Sequence, residues 1–333
     1  MREPSFWWRP HAWPSLVLAP LGWIYGAIAA SRLRRRGEDI GAPVICVGNY
    51  TLGGAGKTPA VLALVDLLRG EGQRPFVLSR GYRGTLQGPV LVDAAKHSAI
   101  EVGDEPLLLA RLAPTIVARN RVAGARTARS AGASVIVMDD GFQNPSLAKD
   151  LAIVLVDGVR GIGNGRIIPA GPLRAPLEIQ IAHAHALVIV GPPGGAAAVA
   201  DAARRYGVAL FHGRLEPDAN SLAALGRRKV LAFAGIGDPE KFFATLGAAG
   251  IEVAERASFP DHHRYTAAEA QALLARATAQ NLVLITTEKD FVRLAGDPAL
   301  AGLAARSSAL PVRLVIDEQD AFKQMVLGAV KRS

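Results

Sequence analysis

The chain reads as an α/β protein: a doubly wound, mainly parallel sheet, a second, smaller α/β lobe, and an N-terminal membrane-associated helix. Three observations predict this class. Short apolar runs alternate with longer amphipathic stretches, the pattern of helices packed on a mainly parallel sheet. The first such run passes into a glycine-rich loop that ends in Gly-Lys-Thr. The length of 333 residues, half of them hydrophobic, is enough for two cores of ordinary size.

The first segment, residues 1–36, holds all four tryptophans, Trp7, Trp8, Trp13 and Trp23, around an uncharged stretch at 12–31. Its arginines, Arg2, Arg9, Arg32, Arg34, Arg35 and Arg36, face one acid, Glu3, so more than half of the net charge of +9 is local. Tryptophan and arginine at headgroup level with Leu16, Val17, Leu18, Leu21, Ile24 and Ile28 as apolar surface describe a membrane contact. Ala27-Ile28-Ala29 has the spacing of a signal-peptide cleavage site, but the arginines that follow resist export and favour the cytoplasm. The remaining charge forms no basic and aromatic stripe, so nucleic acid is not an expected partner. The single cysteine, Cys46, lies in an apolar run, which excludes a disulfide framework and a cysteine metal site.

Residues 37–216 form the expected first lobe. Strands are predicted at 44–47, 75–79, 115–118, 135–138, 153–156 and 187–190, and helices at 57–70, 105–112, 120–131 and 196–206. Residues 217–316 are expected to form the second lobe, with strands at 230–233, 282–286 and 312–315 and helices at 239–249, 266–279 and 289–294. Residues 317–332 read as a final amphipathic helix within a C-terminal segment, 317–333.

Thr51, Leu52, Gly53, Gly54, Ala55, Gly56, Lys57 and Thr58 follow the first strand. Glycines here let backbone N–H groups turn towards an anion at the start of a helix. Lys57 can reach β- and γ-phosphates and the Thr58 hydroxyl can meet Mg²⁺. The strict phosphate-loop pattern has glycine where this chain has Thr51. These residues are the candidate ATP site, and they make the first lobe a phosphate-loop (P-loop) kinase-like sheet.

An apolar strand that ends in Asp139-Asp140-Gly-Phe-Gln143 supports the cradle, because parallel strands bring their C-terminal ends to one edge, where an acid can hold Mg²⁺ beside Thr58. Gly103-Asp104-Glu105-Pro106 puts two carboxylates at a helix start, as helix caps or as the proton acceptor and metal ligand of a kinase. Phe259-Pro-Asp261-His262-His263 brings imidazoles from the second lobe. Adjacent histidines point apart and no third ligand stands at a zinc spacing. The alternatives are a helix cap and a partner for a first-lobe carboxylate. Ser79-Arg-Gly-Tyr82 suits a turn near anions. The Gly- and Pro-rich stretch from Gly161 to Arg174 carries Arg166 and Arg174, which either meet a phosphorylated substrate or lie in solvent. Thr286-Thr-Glu-Lys289-Asp290 reads as a cap with a local ion pair.

In order, Gly-Gly-Ala-Gly-Lys-Thr-Pro, Ser-Arg-Gly-Tyr, Gly-Asp-Glu-Pro, Asp-Asp-Gly-Phe-Gln, Pro-Ala-Gly-Pro-Leu-Arg, Phe-Pro-Asp-His and Thr-Glu-Lys-Asp resemble the tetraacyldisaccharide 4′-kinase (lipid A 4′-kinase) family along nearly the whole chain. The resemblance implies transfer of the ATP γ-phosphate, with Mg²⁺, to the 4′-hydroxyl of a lipid disaccharide 1-phosphate. It implies work at the cytoplasmic face of a bacterial inner membrane. It implies Asp104 as catalytic proton acceptor with His262 as its partner. Thr58, Glu105, Asp139 and Asp140 become metal ligands or neighbours of the metal, and Tyr82, Gln143, Arg166 and Arg174 substrate contacts. Family members often carry an acid where this chain has Ala175.

The rival from another class is a membrane-tethered P-loop NTPase switch that binds a protein partner. Guanine selectivity normally uses Asn/Thr-Lys-x-Asp, and Thr287-Glu-Lys289-Asp290 has its lysine one place late. A deviant phosphate loop of the partner-ATPase kind needs a lysine where this chain has Leu52.

Overall fold

A computed structural model describes residues 3–331. Arg2, counted in the N-terminal charge, and Arg332, expected in the final helix, lie outside the described residues. The strands are β1 (Val44–Asn49), β2 (Pro75–Ser79), β3 (Val90–Leu91), β4 (Thr115–Val117), β5 (Val135–Asp139), β6 (Leu151–Asp157), β7 (Ala186–Val190), β8 (Ala209–Pro217), β9 (Val230–Ala234), β10 (Val253–Ser258), β11 (Val283–Thr287), β12 (Ser307–Leu310) and β13 (Val312–Ile316). The larger sheet has the order β13-β8-β7-β6-β1-β5-β2-β4-β3 and the smaller β10-β9-β11-β12.

The larger sheet is parallel except at its two edges, where β13 pairs antiparallel with β8 and β3 with β4. β1 lies between β5 and β6. Every residue of β1, β2 and β5 is buried, because helices cover both faces, and this is why these strands read as unbroken apolar runs. One face packs Ala125, Ala128, Ile181 and Val199. The other packs Val61, Leu64 and Leu68 from helix Lys57–Gly70 with Phe322, Val326 and Ala329 from helix Gln319–Lys331. The C-terminal helix therefore belongs to the larger lobe, where Phe322 meets Phe211 edge-on at 5.2 Å. Cys46 is a buried free thiol pushed up to about 12 by burial, consistent with an inert core residue.

The smaller sheet is parallel throughout. Residues 312–315, expected as one of its strands, form β13 of the larger sheet instead. Pro311 lacks an N–H and separates β12 from β13, so the chain leaves the small sheet there and returns to β8, with Val312 opposite Pro217 and Ile316 opposite Gly213. The second lobe is thus inserted between two neighbouring strands of the first. Sequence patterning did not predict β3, β8, β10 or β12, and β3 is only the pair Val90–Leu91. His212, Gly213 and Arg214 break the apolar run of β8. β10 is a half-exposed edge strand, Val-Ala-Glu-Arg-Ala-Ser, and β12 is only Ser-Ser-Ala-Leu.

The N-terminal helix Trp13–Leu33 presents two unlike faces. Ser15, Ala19, Gly22, Gly26, Ala30 and Leu33 are buried, at spacings of three or four that make one stripe. Glycine is required at 22 by close approach: a Cβ there would lie 2.9 Å from the Ile167 carbonyl oxygen. The stripe docks on the loop that contains Ile167, Ala170 and Pro176. Asn164 donates to Ser15 Oγ at 2.8 Å and the Trp7 indole donates to the Pro169 carbonyl at 3.0 Å. On the other face Trp13, Leu16, Val17, Leu21, Trp23, Ile24 and Ile28 are all more than half exposed.

Candidate active site

The phosphate loop hangs from the C-terminal end of β1, at the point where the chain direction across the sheet reverses, the usual place for a ligand crevice in such sheets. Gly53 and Gly56 have φ of +105° and +82°, conformations that disfavour a Cβ. The Gly53 carbonyl accepts from Asn49 Nδ2 at 3.0 Å and from Lys57 Nζ at 3.5 Å. Lys57 opens helix Lys57–Gly70 and Thr58 is buried in its first turn, so helix N–H groups and the lysine point to the same spot.

A rigid bracket holds the other side of the loop. Leu52 N–H donates to the Pro172 carbonyl at 2.8 Å, and Thr51 bridges Leu173. Arg174 donates to the Thr51 carbonyl at 3.0 Å and to both Asp140 oxygens at 2.8 and 3.2 Å. Gln143 donates to the Asn49 carbonyl at 2.7 Å. Arg174 and Gln143, expected at the substrate, are thus engaged with the loop itself here. Arg166 is half-buried in the same stretch, beside Asn164. Glu3 adds a contact that sequence reasoning missed: its carboxylate lies where a Cβ at position 53 would be. Arg160 links Glu3, at 3.3 Å, to Asp238 of the smaller lobe, at 2.6 Å.

Asp139 ends β5, and Asp140 follows in a left-handed turn at φ +48°. Burial raises the Asp139 carboxyl to about 7, and the charges of Glu105 and Asp140 add to the effect. Burial also opposes ionisation of Asp140, but Lys57 and Arg174 outweigh it and hold that carboxyl down at about 2. Lys289 is the main cause that lowers the Glu105 carboxyl, through a contact of 2.7 Å. Among the described residues no three His, Cys, Asp or Glu side chains group as a ready metal cage. The donor set still fits Mg²⁺, which typically takes one or two carboxylates and completes its shell with phosphate oxygens and water. A buried acid left partly protonated by acidic neighbours is a place that favours a divalent cation.

The two lobes meet at Asp104. It starts helix Asp104–Ala110 and is 5% exposed. From the smaller lobe, His262 Nδ1 lies 3.2 and 3.1 Å from its two oxygens. Arg293 donates through Nε to Oδ2 at 3.0 Å, and its Nη2 pairs with the same oxygen. Burial works against the charge of Asp104, but the His262 hydrogen bond and the Arg293 guanidinium prevail and hold the carboxyl far below the usual range. His262 occupies φ +55°, and the exposed Tyr82 meets it edge-on at 5.5 Å. Arg83 donates to the Asp261 and His262 carbonyls at 3.3 Å. His263 turns away, stacks on Phe259 and bonds Glu269 at 3.0 Å in the cap of helix Ala267–Ala279.

Lys289 and Arg293 were not among the predicted site residues. In the sequence they are only two cations four apart on one expected helix; it is the fold that sets them against Glu105 and Asp104. Asp290, between them, is fully buried as a structural anchor. The guanine-type motif considered above therefore has its lysine on Glu105 and its aspartate in the core.

A P-loop sheet with a cationic cradle, facing acids and an inter-lobe carboxylate defines a nucleotide-dependent phosphotransferase of the P-loop class. A family profile described as tetraacyldisaccharide-1-P 4′-kinase matches residues 14–331, and the chain belongs to that family. Tetraacyldisaccharide 4′-kinase of Rhodopseudomonas palustris strain BisB5 is 53% identical over 333 residues, 100% of this chain and 98% of the relative. The strain BisA53 protein of the same name is 56% identical over 328 residues, 98% of this chain and 96% of the relative. The structure is similar to the "apo" form LpxK from Aquifex aeolicus in complex with ATP, with a TM-score of 0.74 at 29% identity, covering 95% of this chain and 99% of that one.

Asp104→Asn takes from buried Arg293 one of its two carboxylate partners, leaving Asp290, and removes the charge-assisted bonds at Nε and Nη2, a loss of about 2–3 kcal/mol at neutral pH. The sign follows from the depressed folded value: the stabilisation is full above the unfolded carboxyl value of 3.8 and is lost as pH falls through the lower folded value. Thermal melts of wild type and variant in metal-free buffer should differ by a constant amount from pH 8 to about 5 and converge in stronger acid. A difference that vanishes between pH 8 and 5 would contradict an ionised Asp104.

Proposed function

We propose that this chain is an ATP- and Mg²⁺-dependent lipid kinase that phosphorylates the 4′-hydroxyl of a tetraacylated glucosamine disaccharide 1-phosphate in lipid A biosynthesis. The observation that carries the site assignment is the ionised Asp104, clasped by His262 across the cleft from the smaller lobe and flanked by the acids that border the phosphate cradle. In the reaction, the sugar oxygen bonds to the γ-phosphorus, the bond from that phosphorus to the ADP oxygen breaks, and Asp104 takes the hydroxyl proton. His262 orients the carboxylate, and Lys57 with the loop N–H groups neutralises charge on the transferring phosphoryl group. When bound, Mg²⁺ supplies further neutralisation beside Thr58, Asp139, Asp140 and Glu105.

The N-terminal helix serves, in this proposal, to hold the enzyme at the cytoplasmic face of the inner membrane. Its 21 residues rise about 30 Å, and its uncovered apolar face with the following arginines suits an anionic surface. The switch reading is disfavoured because Lys289 and Asp290 are committed to inter-lobe and core contacts.

Purified protein in detergent or vesicles with the disaccharide 1-phosphate and γ-labelled ATP should transfer label to the lipid. ATP hydrolysis without lipid labelling at saturating lipid would favour a switch. Replacing Leu16, Trp23 and Ile28 together by Asn should weaken co-sedimentation with anionic vesicles by about tenfold or more. Unchanged sedimentation would place the membrane contact elsewhere.

A further inference from the structure

Arg293 makes more contacts at the cleft than an inter-lobe clamp requires. The Thr287 hydroxyl caps its helix and donates to Asp290 Oδ2 at 2.6 Å. Asp290 also accepts from Gly235 N–H at 3.1 Å and from the Tyr265 hydroxyl at 3.0 Å. This fully buried carboxylate in turn accepts from Arg293 Nη1 at 2.6 Å, and the same Nη1 donates to the Gly235 carbonyl at 2.8 Å. The guanidinium is therefore fixed by the small lobe's core before it reaches Asp104. Its remaining edge, Nε and Nη2, falls on one oxygen of Asp104, Oδ2. The His262 imidazole is shared between the two oxygens, 3.2 Å from Oδ1 and 3.1 Å from Oδ2, so Oδ1 is the less engaged of the pair.

We propose that Arg293 is a positioning residue for phosphoryl transfer: held by Asp290, it fixes the Asp104 carboxylate through Oδ2 and leaves Oδ1 as the oxygen that receives the hydroxyl proton. The inference rests on the kinase reading above and deepens it. A guanidinium that is itself held by Asp290 and grips Oδ2 through two N–H groups anchors that oxygen in a way that one imidazole contact shared between both oxygens does not, and near-attack geometry is sensitive to small misplacement. Lys241 and Asp157 form another inter-lobe ion pair that touches none of these groups, so they provide the comparison for simple lobe clamping.

The test measures kcat and KM for ATP with the disaccharide 1-phosphate as acceptor, together with calorimetric ATP affinity and melting temperature. The variants are Arg293→Met, Arg293→Lys, Asp290→Asn, the Arg293→Met/Asp290→Asn double variant and Lys241→Ala. Arg293→Met should lower kcat about 100-fold with KM and affinity for ATP within about twofold. Arg293→Lys, which keeps the charge and loses the fork, should recover part of that loss. Asp290→Asn should lower kcat in the same direction, and the double variant should be no worse than Arg293→Met alone. Lys241→Ala should stay within about threefold of wild type. Wild-type kcat in Arg293→Met, or an equal loss in Lys241→Ala, would overturn the positioning role. If Arg293→Met does not fold, unchanged kcat in both Arg293→Lys and Asp290→Asn would overturn it. Failure of the wild type itself to label lipid would instead overturn the kinase reading, and this inference with it.

Discussion

A buried carboxylate must be compensated, and the compensation of Asp104 organises the molecule. Its helix belongs to the larger sheet, while the imidazole and guanidinium that stabilise its charge belong to the smaller one. Removing either lobe would strand charge in an apolar setting, since Val102, Leu107, Leu108 and Val292 pack around the same junction. The closed arrangement of the lobes and the ionisation of the proposed proton acceptor are therefore one property. Glu105 with Lys289 repeats the arrangement one residue along, next to the acids that border the phosphate cradle.

The cradle is held from the opposite direction by the loop between Gly161 and Arg174. That loop fixes Thr51, Leu52 and Asp140 through Pro172 and Arg174, and it also receives the small-residue stripe of the N-terminal helix. One glycine- and proline-rich segment thus touches both the nucleotide loop and the helix proposed to meet the membrane. This economy fits an enzyme whose donor is soluble and whose acceptor is a lipid.

Much of this was legible in the sequence because it depends on local chemistry. Glycines before Lys57-Thr58 announce an anion loop, and the run into Asp139-Asp140 announces acids at the same edge, since parallel strands align their ends. The buried strands declare themselves through unbroken apolar runs. What was not legible depends on pairing at a distance. β13 sits next in the chain to the small lobe, and only its pairing with β8 assigns it to the large one. Arg293 looks like an ordinary charge in the last turn of a short helix until the fold brings Asp104 to it. Arg174 and Gln143 have substrate-like chemistry, yet in this structure they brace the loop. The two faces of the N-terminal helix differ by small against large residues, both apolar, so hydropathy alone does not separate them.

The most direct measurement is the single-turnover rate of phosphoryl transfer to the lipid by Asp104→Ala, with ATP binding measured on the same preparation. Transfer slowed by about 10²–10⁴-fold with nucleotide affinity near that of the wild type is the predicted result. Near-normal transfer by a folded Asp104→Ala protein would contradict the assignment of Asp104 as the group on which the two lobes converge to take the proton.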